Sequence, residues 1–322
     1  MATDKGSVAI QARHDQEQAI DVLLAPGGGE TRTVTQMAWR RFRQDKLAIV
    51  GAGIMIILLL LGVCAPLISE HVTGFRPEKI MLASKARPPG YRRTPDSPVH
   101  LLGTDELGRD VLTRVIYGAR VSLYVSLLTV AVSLTIGTVV GAVSGFYGGA
   151  IDNVLMRFVD VVIAIPALFL LILIAVVFRP GVTGLALVLA SIGWTGVARL
   201  VRAEFLTLKE RDFVLAARVI GASNGRIIVR HILPNATSPM IVAATLSIGT
   251  VILTETALSF LGMGVQPPVP SWGNMLTKGE QYLYLAPFLI IIPGAFIFVT
   301  VLAANLMGNG LRDALDPKMS EY

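Results

Sequence analysis

Cysteine is nearly missing: the 322 residues include one, Cys64. That excludes a disulfide framework and a thiolate metal site. Cys64 lies in an apolar run, where a free cysteine acts as a small packing residue. Histidine is also sparse. His14, His71, His100 and His231 are scattered without metal-ligand spacing. No G-x-x-x-x-G-K-[ST] phosphate loop occurs, and no nucleophile–base constellation stands out. The chain offers no catalytic residues and no site for a cofactor or metal of its own. Charge is the other scarcity. Only 16% of residues are charged, against roughly a quarter in soluble domains.

What replaces charge is hydrophobicity, at 53% of residues. Asp, Glu, Lys and Arg are absent from Leu47–Ser69, Val121–Ile151, Val161–Phe178, Pro180–Ala198, Ile232–Thr254 and Gln281–Leu311. Each run approaches or exceeds the roughly 20 residues that cross a bilayer as a helix. A helix satisfies its own backbone hydrogen bonds in lipid. Barrel strands would alternate over about ten residues, whereas these runs are continuous. The expectation is an all-α integral membrane protein with six transmembrane helices. The first run is too long and too far into the chain for a cleaved signal, and lacks a small-residue cleavage pattern.

Lys and Arg give the orientation. Seven precede residue 47, six lie between Arg202 and Arg230, and two lie in the C-terminal tail. These place both termini and the segment around residue 215 in the cytoplasm. The 70–120 loop carries nine basic and six acidic residues. Its external placement conflicts with a simple count of basic residues; at about 50 residues, with acidic groups among them, it is only weakly constrained by the rule. The net charge of +6 follows from this topology and implies no nucleic acid.

The expected organisation is a cytoplasmic tail with an interfacial helix (1–46), a first span (47–69), and an external loop with an amphipathic helix (70–120). A core of five spans (121–311) and a cytoplasmic tail (312–322) follow. Residues 1–36 are polar, with a glycine triplet at 27–29, and read as a mobile tail. Trp39 and Phe42 among Arg40, Arg41, Arg43 and Lys46 suit either a helix along the headgroups or a plain positive anchor. Leu107, Val111, Arg114, Val115 and Gly118 recur at helical spacing, with Thr104 or Asp105 as the cap. Ser133, Gly137, Gly141 and Gly145 align small residues on one face of the second span. Pro166 and Pro293 are expected to bend their spans.

The unusual feature is LAARVIGASNGRIIVRHILPNATSP, Leu215–Pro239, a basic stretch between apolar runs. It reads as a helix continuing out of the fourth span, ended by Gly221. A short helix capped by Ser223 or Asn224 then runs to Pro234, where proline stops it. Ala216, Ala217, Gly221 and Ala222 keep the turn thin enough for another surface to approach. A generic amphipathic loop is the alternative.

Within spans, ionisable and amide groups are candidates for a path or for polar ties in the bundle. Glu255 can face a substrate or pair with neighbours such as Thr254 and Thr256. Asp160 sits at the inner edge of the third span, and Asn305 lies in the sixth.

The spacing of Ala216–Ala217, Gly221 and Leu233–Pro234 resembles the cytoplasmic EAA loop of ABC-importer permeases. WRRFRQDKLAIVG (Trp39–Gly51), LLGTDELGRDVLTRVIYGARVSL (Leu101–Leu123), DVVIAIPALFLLI (Asp160–Ile172) and ETALSFLGMGVQPPVPSWGNML (Glu255–Leu276) are similar to the C-type permeases of the dipeptide/oligopeptide/nickel branch. The likeness covers nearly everything after residue 36. It departs at Leu215, where the family has glutamate, and at His231, where it has isoleucine. The resemblance implies a type I importer-like permease, with segment 209–235 as a coupling helix in a bacterial inner membrane. The implied partners are a second homologous permease, two ATPase subunits that bind ATP and magnesium, and an external binding protein, all around a lipid-embedded path. Ala216, Ala217, Gly221, Ala222, Ser223, Asn224, Leu233 and Pro234 would meet the ATPase. Thr104, Asp105, Glu106, Arg109 and Asp110, with Gln266, Trp272 and Asn274, are the candidates for docking the binding protein. Peptide is the expected cargo; nickel, glutathione and haem are alternatives within the branch. A secondary transporter is disfavoured by nearly charge-free spans without a convincing repeat, and a non-transporting scaffold by the extent of the motif match.

Overall fold

The structure is a computed structural model and describes residues 34–315. The expected tails at 1–33 and 316–322 lie outside the described residues. From Arg40 onward the chain forms one compact unit, and the described residues 34–39 fall outside it.

Helix α1 (Val34–Gln44) ends where Asp45 caps the first span. The Asp45 carboxylate accepts from the Leu47 and Ala48 amides at 2.9 and 3.1 Å, satisfying two donors that a helix start leaves open. The long helices that follow are α2 (Lys46–Val63), α3 (Val111–Tyr147) and the pair α4 (Gly149–Ala164) and α5 (Ala167–Phe178). After them come α6 (Val182–Leu208), a short α7 (Asp212–Val219), α8 (Asn224–Phe260), a short α9 (Trp272–Gly279) and α10 (Phe288–Leu315). Among the described residues, α2, α3, α6, α8 and α10 are each long and apolar enough to cross a membrane. The pair α4–α5, bent by 81°, makes a sixth if it is counted as one broken span. The bend sits at Pro166. Ile165 before it is extended, at φ −84° and ψ 126°, because a following proline disfavours helical backbone. Pro293, by contrast, lies inside a continuous α10.

Small residues set the packing. Cβ atoms added at Gly137, Gly141 and Gly145 would lie 2.5–2.7 Å from Val197, the Ala198 carbonyl and Phe205 respectively, all on α6. The small face of α3 is therefore its seam with α6. Gly51 of α2 meets the Ala303 carbonyl of α10 in the same way, at 2.7 Å. The start of α2 and the end of α10 share one side of the bundle, here the terminal side. Gly62, near the other end of α2, lies against Arg120 of α3, which marks the long-loop side.

Two local expectations are corrected. Residues 104–110 are not a helix. The Asp105 carboxylate accepts from the Leu107 and Arg109 amides, both at 2.9 Å, a local turn that competes with helix. Gly108 completes it at φ +75°, and α3 begins only after Asp110. The helix leaving α6 also breaks, at Lys209–Arg211, before α7 starts.

Candidate functional site: an elbow on the terminal side and a stapled loop opposite

The elbow between α6 and α8 is built by packing. Val214, Ala217, Ile227 and Ile232 are buried against Phe146, Val201, Phe205 and Met240 of three spans. Gly221 ends α7 at φ +81°. Its amide donates to the Arg218 carbonyl, and the Ala222 amide donates to the Ala217 carbonyl, both at 3.0 Å. That pair of bonds is a Schellman stop, which needs a left-handed residue at this position. Ser223 precedes α8 in extended conformation but makes no side-chain cap bond. Pro234 does not stop the helix. Ile227–Ile232 winds as a π-helix and continues into α8, with Pro234 in the first turn of its α-helical part. The wide turn accommodates the Arg230 carbonyl, which a proline four residues on would otherwise crowd.

Of the predicted elbow residues, Ala217 is buried, Ala222 and Leu233 are half-buried, and Ala216, Gly221, Ser223, Asn224 and Pro234 are exposed. The most exposed large apolar side chains at the tip are two that the sequence reading passed over: Val219 at 86% and Ile220 at 84%. Their signal was available, as apolar residues directly before a helix-ending glycine. Above the elbow, Arg202 clamps Asp152 with two bonds of 2.5 and 2.6 Å, and the Ser144 hydroxyl donates to the same carboxylate. These tie α3, α4 and α6.

On the opposite side the loop before α3 is closed by buried polar groups. Asp110 caps α3 through the Thr113 amide at 2.8 Å and meets His100 Nδ1 at 2.9 Å. His100 stacks on Phe75 with centroids 4.1 Å apart. Arg109 donates to Asp105 at 2.6 Å and to Glu106 at 2.7 Å, while Arg114 approaches Asp105 at 3.2 Å. Thr104 accepts from the Arg87 amide and donates to the Ser84 carbonyl. Thr104, Asp105, Arg109 and Asp110 are thus buried staples; Glu106 is half-buried.

Trp272 is also interior. It is fully buried, donates its indole N–H to the Val115 carbonyl at 3.0 Å and lies against Gly118. Asn274 donates to the Val265 and Val269 carbonyls at 3.1 and 2.7 Å. With Ser271 it forms a capping box that starts α9. Gln266 is exposed and lines a cavity of about 400 Å³ with Arg179, Gly262 and Gly264.

Glu255 is fully buried. Its partners are Ser259 at 2.6 Å and Ser122 of α3 at 3.3 Å, not Thr254, whose hydroxyl bonds the Thr250 carbonyl. Ser122 also accepts from the Trp272 amide at 3.3 Å. The carboxylate therefore ties α8, α3 and α9 together. Asp160 pairs with Arg199 at 2.5 Å, both about half exposed. Asn305 is exposed and makes no side-chain hydrogen bond among the described residues. No cluster of His, Cys, Asp and Glu able to hold a metal is found among the described residues.

Residues 137–321 match the family model described as a binding-protein-dependent transport system inner membrane component. The chain belongs to that family. Residues 33–84 match the N-terminal TM domain of oligopeptide transport permease C. The chain is 41% identical over 282 residues to the dipeptide transport system permease protein DppC of Alkalihalophilus pseudofirmus, covering 88% of this chain and 89% of that one. It is 38% identical to the oligopeptide transport system permease protein OppC of Bacillus subtilis, with the same coverage. A glutathione transport system permease, GsiD of Pectobacterium atrosepticum, is 38% identical over 89% of this chain and 92% of its own. In fold, the chain is similar to a subunit of the inward-facing MetNI methionine ABC transporter. The TM-score is 0.53 at 20% identity, over 64% of this chain and 97% of the other. The fold is that of an ABC-importer permease, and the family makes the chain a multi-span membrane transport subunit.

Proposed function

We propose that this permease forms one half of the path of an ATP-driven importer of di- and oligopeptides. It pairs with a second permease, two ATPase subunits that hydrolyse ATP, and an external binding protein. The terminal side faces the cytoplasm, as the Lys and Arg distribution favours, in a bacterial inner membrane. The observation that carries this is the elbow: a firmly packed inner face joined to two spans, beneath a tip with Val219 and Ile220 almost bare. Bare apolar groups at a protrusion mark a contact with another protein. A rigid elbow moves the spans as a body when the ATPases close. Peptide is favoured over glutathione by the several relatives named for dipeptides and oligopeptides at 38–41% identity. The 70–110 loop and the Gln266 rim supply the docking face for the binding protein, with Thr104, Asp105, Arg109 and Asp110 holding its shape from within.

The test is Gly221→Trp in the assembled complex. The site has open space around an added Cβ but a left-handed backbone. The variant is expected to insert normally while losing ATPase co-purification and ATP-dependent peptide uptake. Full co-purification with unchanged uptake would defeat the coupling role.

A further inference from the structure

The exposed faces of the spans are not alike. On α2 they are apolar, including Ile49, Ile56, Leu60 and Val63. On α6, past Leu187, the exposed positions are Ser191, Gly193, Gly196, Arg199, Ala203 and Thr207. Small residues and an ion-paired Arg199 suit water, cargo or a facing helix here better than hydrocarbon.

Beside this face, α3, α6 and α8 border an open cavity of about 200 Å³. Its polar lining is Ser133, Ser247 and Thr250, set among Gly193, Ala244, valines and a leucine, with no ionisable side chain. Ser133 is only 6% exposed, and its hydroxyl has no hydrogen-bond partner among the described residues. It points at Gly193 on the cavity wall, 2.7 Å from where a Cβ there would lie. A buried hydroxyl left unpaired is costly, a cost removed when a ligand bonds to it. Ser247 donates to the Ala243 carbonyl at 2.7 Å, which leaves its oxygen free to accept.

We infer that this cavity is a transit subsite for an uncharged stretch of peptide backbone with a small apolar side chain. Ser133 donates to a cargo carbonyl and Ser247 accepts from a cargo N–H. Without charges it does not hold the peptide's ends. It is smaller than the roughly 300–1,000 Å³ of sites that enclose a whole ligand, so it grips one segment weakly. Weak binding suits a path that cargo must also leave. The inference deepens the importer reading and rests on it for the identity of the cargo.

The experiment uses the assembled complex with Cys64→Ser in this chain, and a charged, membrane-impermeant methanethiosulfonate as probe. Ser247→Cys and Thr250→Cys are expected to be labelled, and Ile57→Cys, on the apolar face of α2, is not. Excess penta-alanine is expected to slow labelling of Ser247→Cys several-fold. Absence of labelling at both cavity positions overturns the inference. So does labelling at an unchanged rate in a complex that takes up penta-alanine. A complex that takes up no peptide counts against peptide as cargo, and labelling still decides whether the cavity lies on the aqueous path.

Discussion

On the long-loop side, Asp105, Arg109, Asp110 and Arg114 are each less than a tenth exposed and bonded to one another or to neighbouring groups. At the elbow, side-chain polar bonds are few, and two apolar residues stand more than four-fifths exposed. The stapled loop is closed by directional bonds that leave little to rearrange, although Tyr284 and Leu285 beside it, at 96% and 83% exposed, are as bare as the elbow tip. The elbow is held by non-directional packing on its inner face and left unfinished on its outer face. Directional networks fix a shape, and partly satisfied ones are costly. Adjacent bare apolar groups at a protrusion suit a surface that a partner covers. The difference is what the proposed roles require: shape-holding for the loop and force transfer for the elbow.

The comparison breaks first at Gly108. A side chain there would overlap the Met81 carbonyl, on a left-handed backbone. Gly108→Val is expected to destabilise by about 4 kcal/mol, combining strain and overpacking, seen as lost abundance and a lower melting temperature in detergent. A mild shift would mean the loop is looser than its bonds suggest. Next is the elbow tip. Val219→Ser with Ile220→Ser removes apolar burial worth about 3 kcal/mol at a partner interface, so ATPase affinity should fall about a hundredfold. The chain's own melting should stay within about 0.5 kcal/mol, as for exposed sites generally. Loss of chain stability instead would place the tip in the fold.

Glu255 sharpens the contrast within the bundle. Glu255→Ala should cost about 2 kcal/mol by stranding Ser122 and Ser259, and Glu255→Gln should recover most of it while peptide uptake persists. Uptake lost in a stable Glu255→Gln variant would make the group part of the path. The smallest effect is expected at Asn305→Ala, within about 0.5 kcal/mol, because the side chain is exposed and makes no side-chain hydrogen bond among the described residues.

Charge-free runs made the spans legible, and four-residue spacing of small residues made the α3–α6 seam legible, because both are properties of one segment. Gly221 was readable as a stop for the same reason. The buried staple was not. Thr104 to Asp110 have helical-looking neighbours, but Asp105 bonds to local amides and to Arg114, a choice made by tertiary packing. Trp272 read as a surface residue because nothing near it in sequence reveals the slot beside Gly118. The π-turn before Pro234 was also hidden, since proline in an isolated pattern signals a stop and only the continuing α8 shows otherwise.

The most direct measurement is site-specific crosslinking from Ile220→Cys, in a Cys64→Ser background, within the purified complex. Efficient crosslinks to an ATPase subunit, with ATP changing their yield, are expected if the elbow transmits the engine's motion. An Ile220→Cys that never crosslinks and stays fully reactive to a soluble thiol reagent throughout turnover would contradict it.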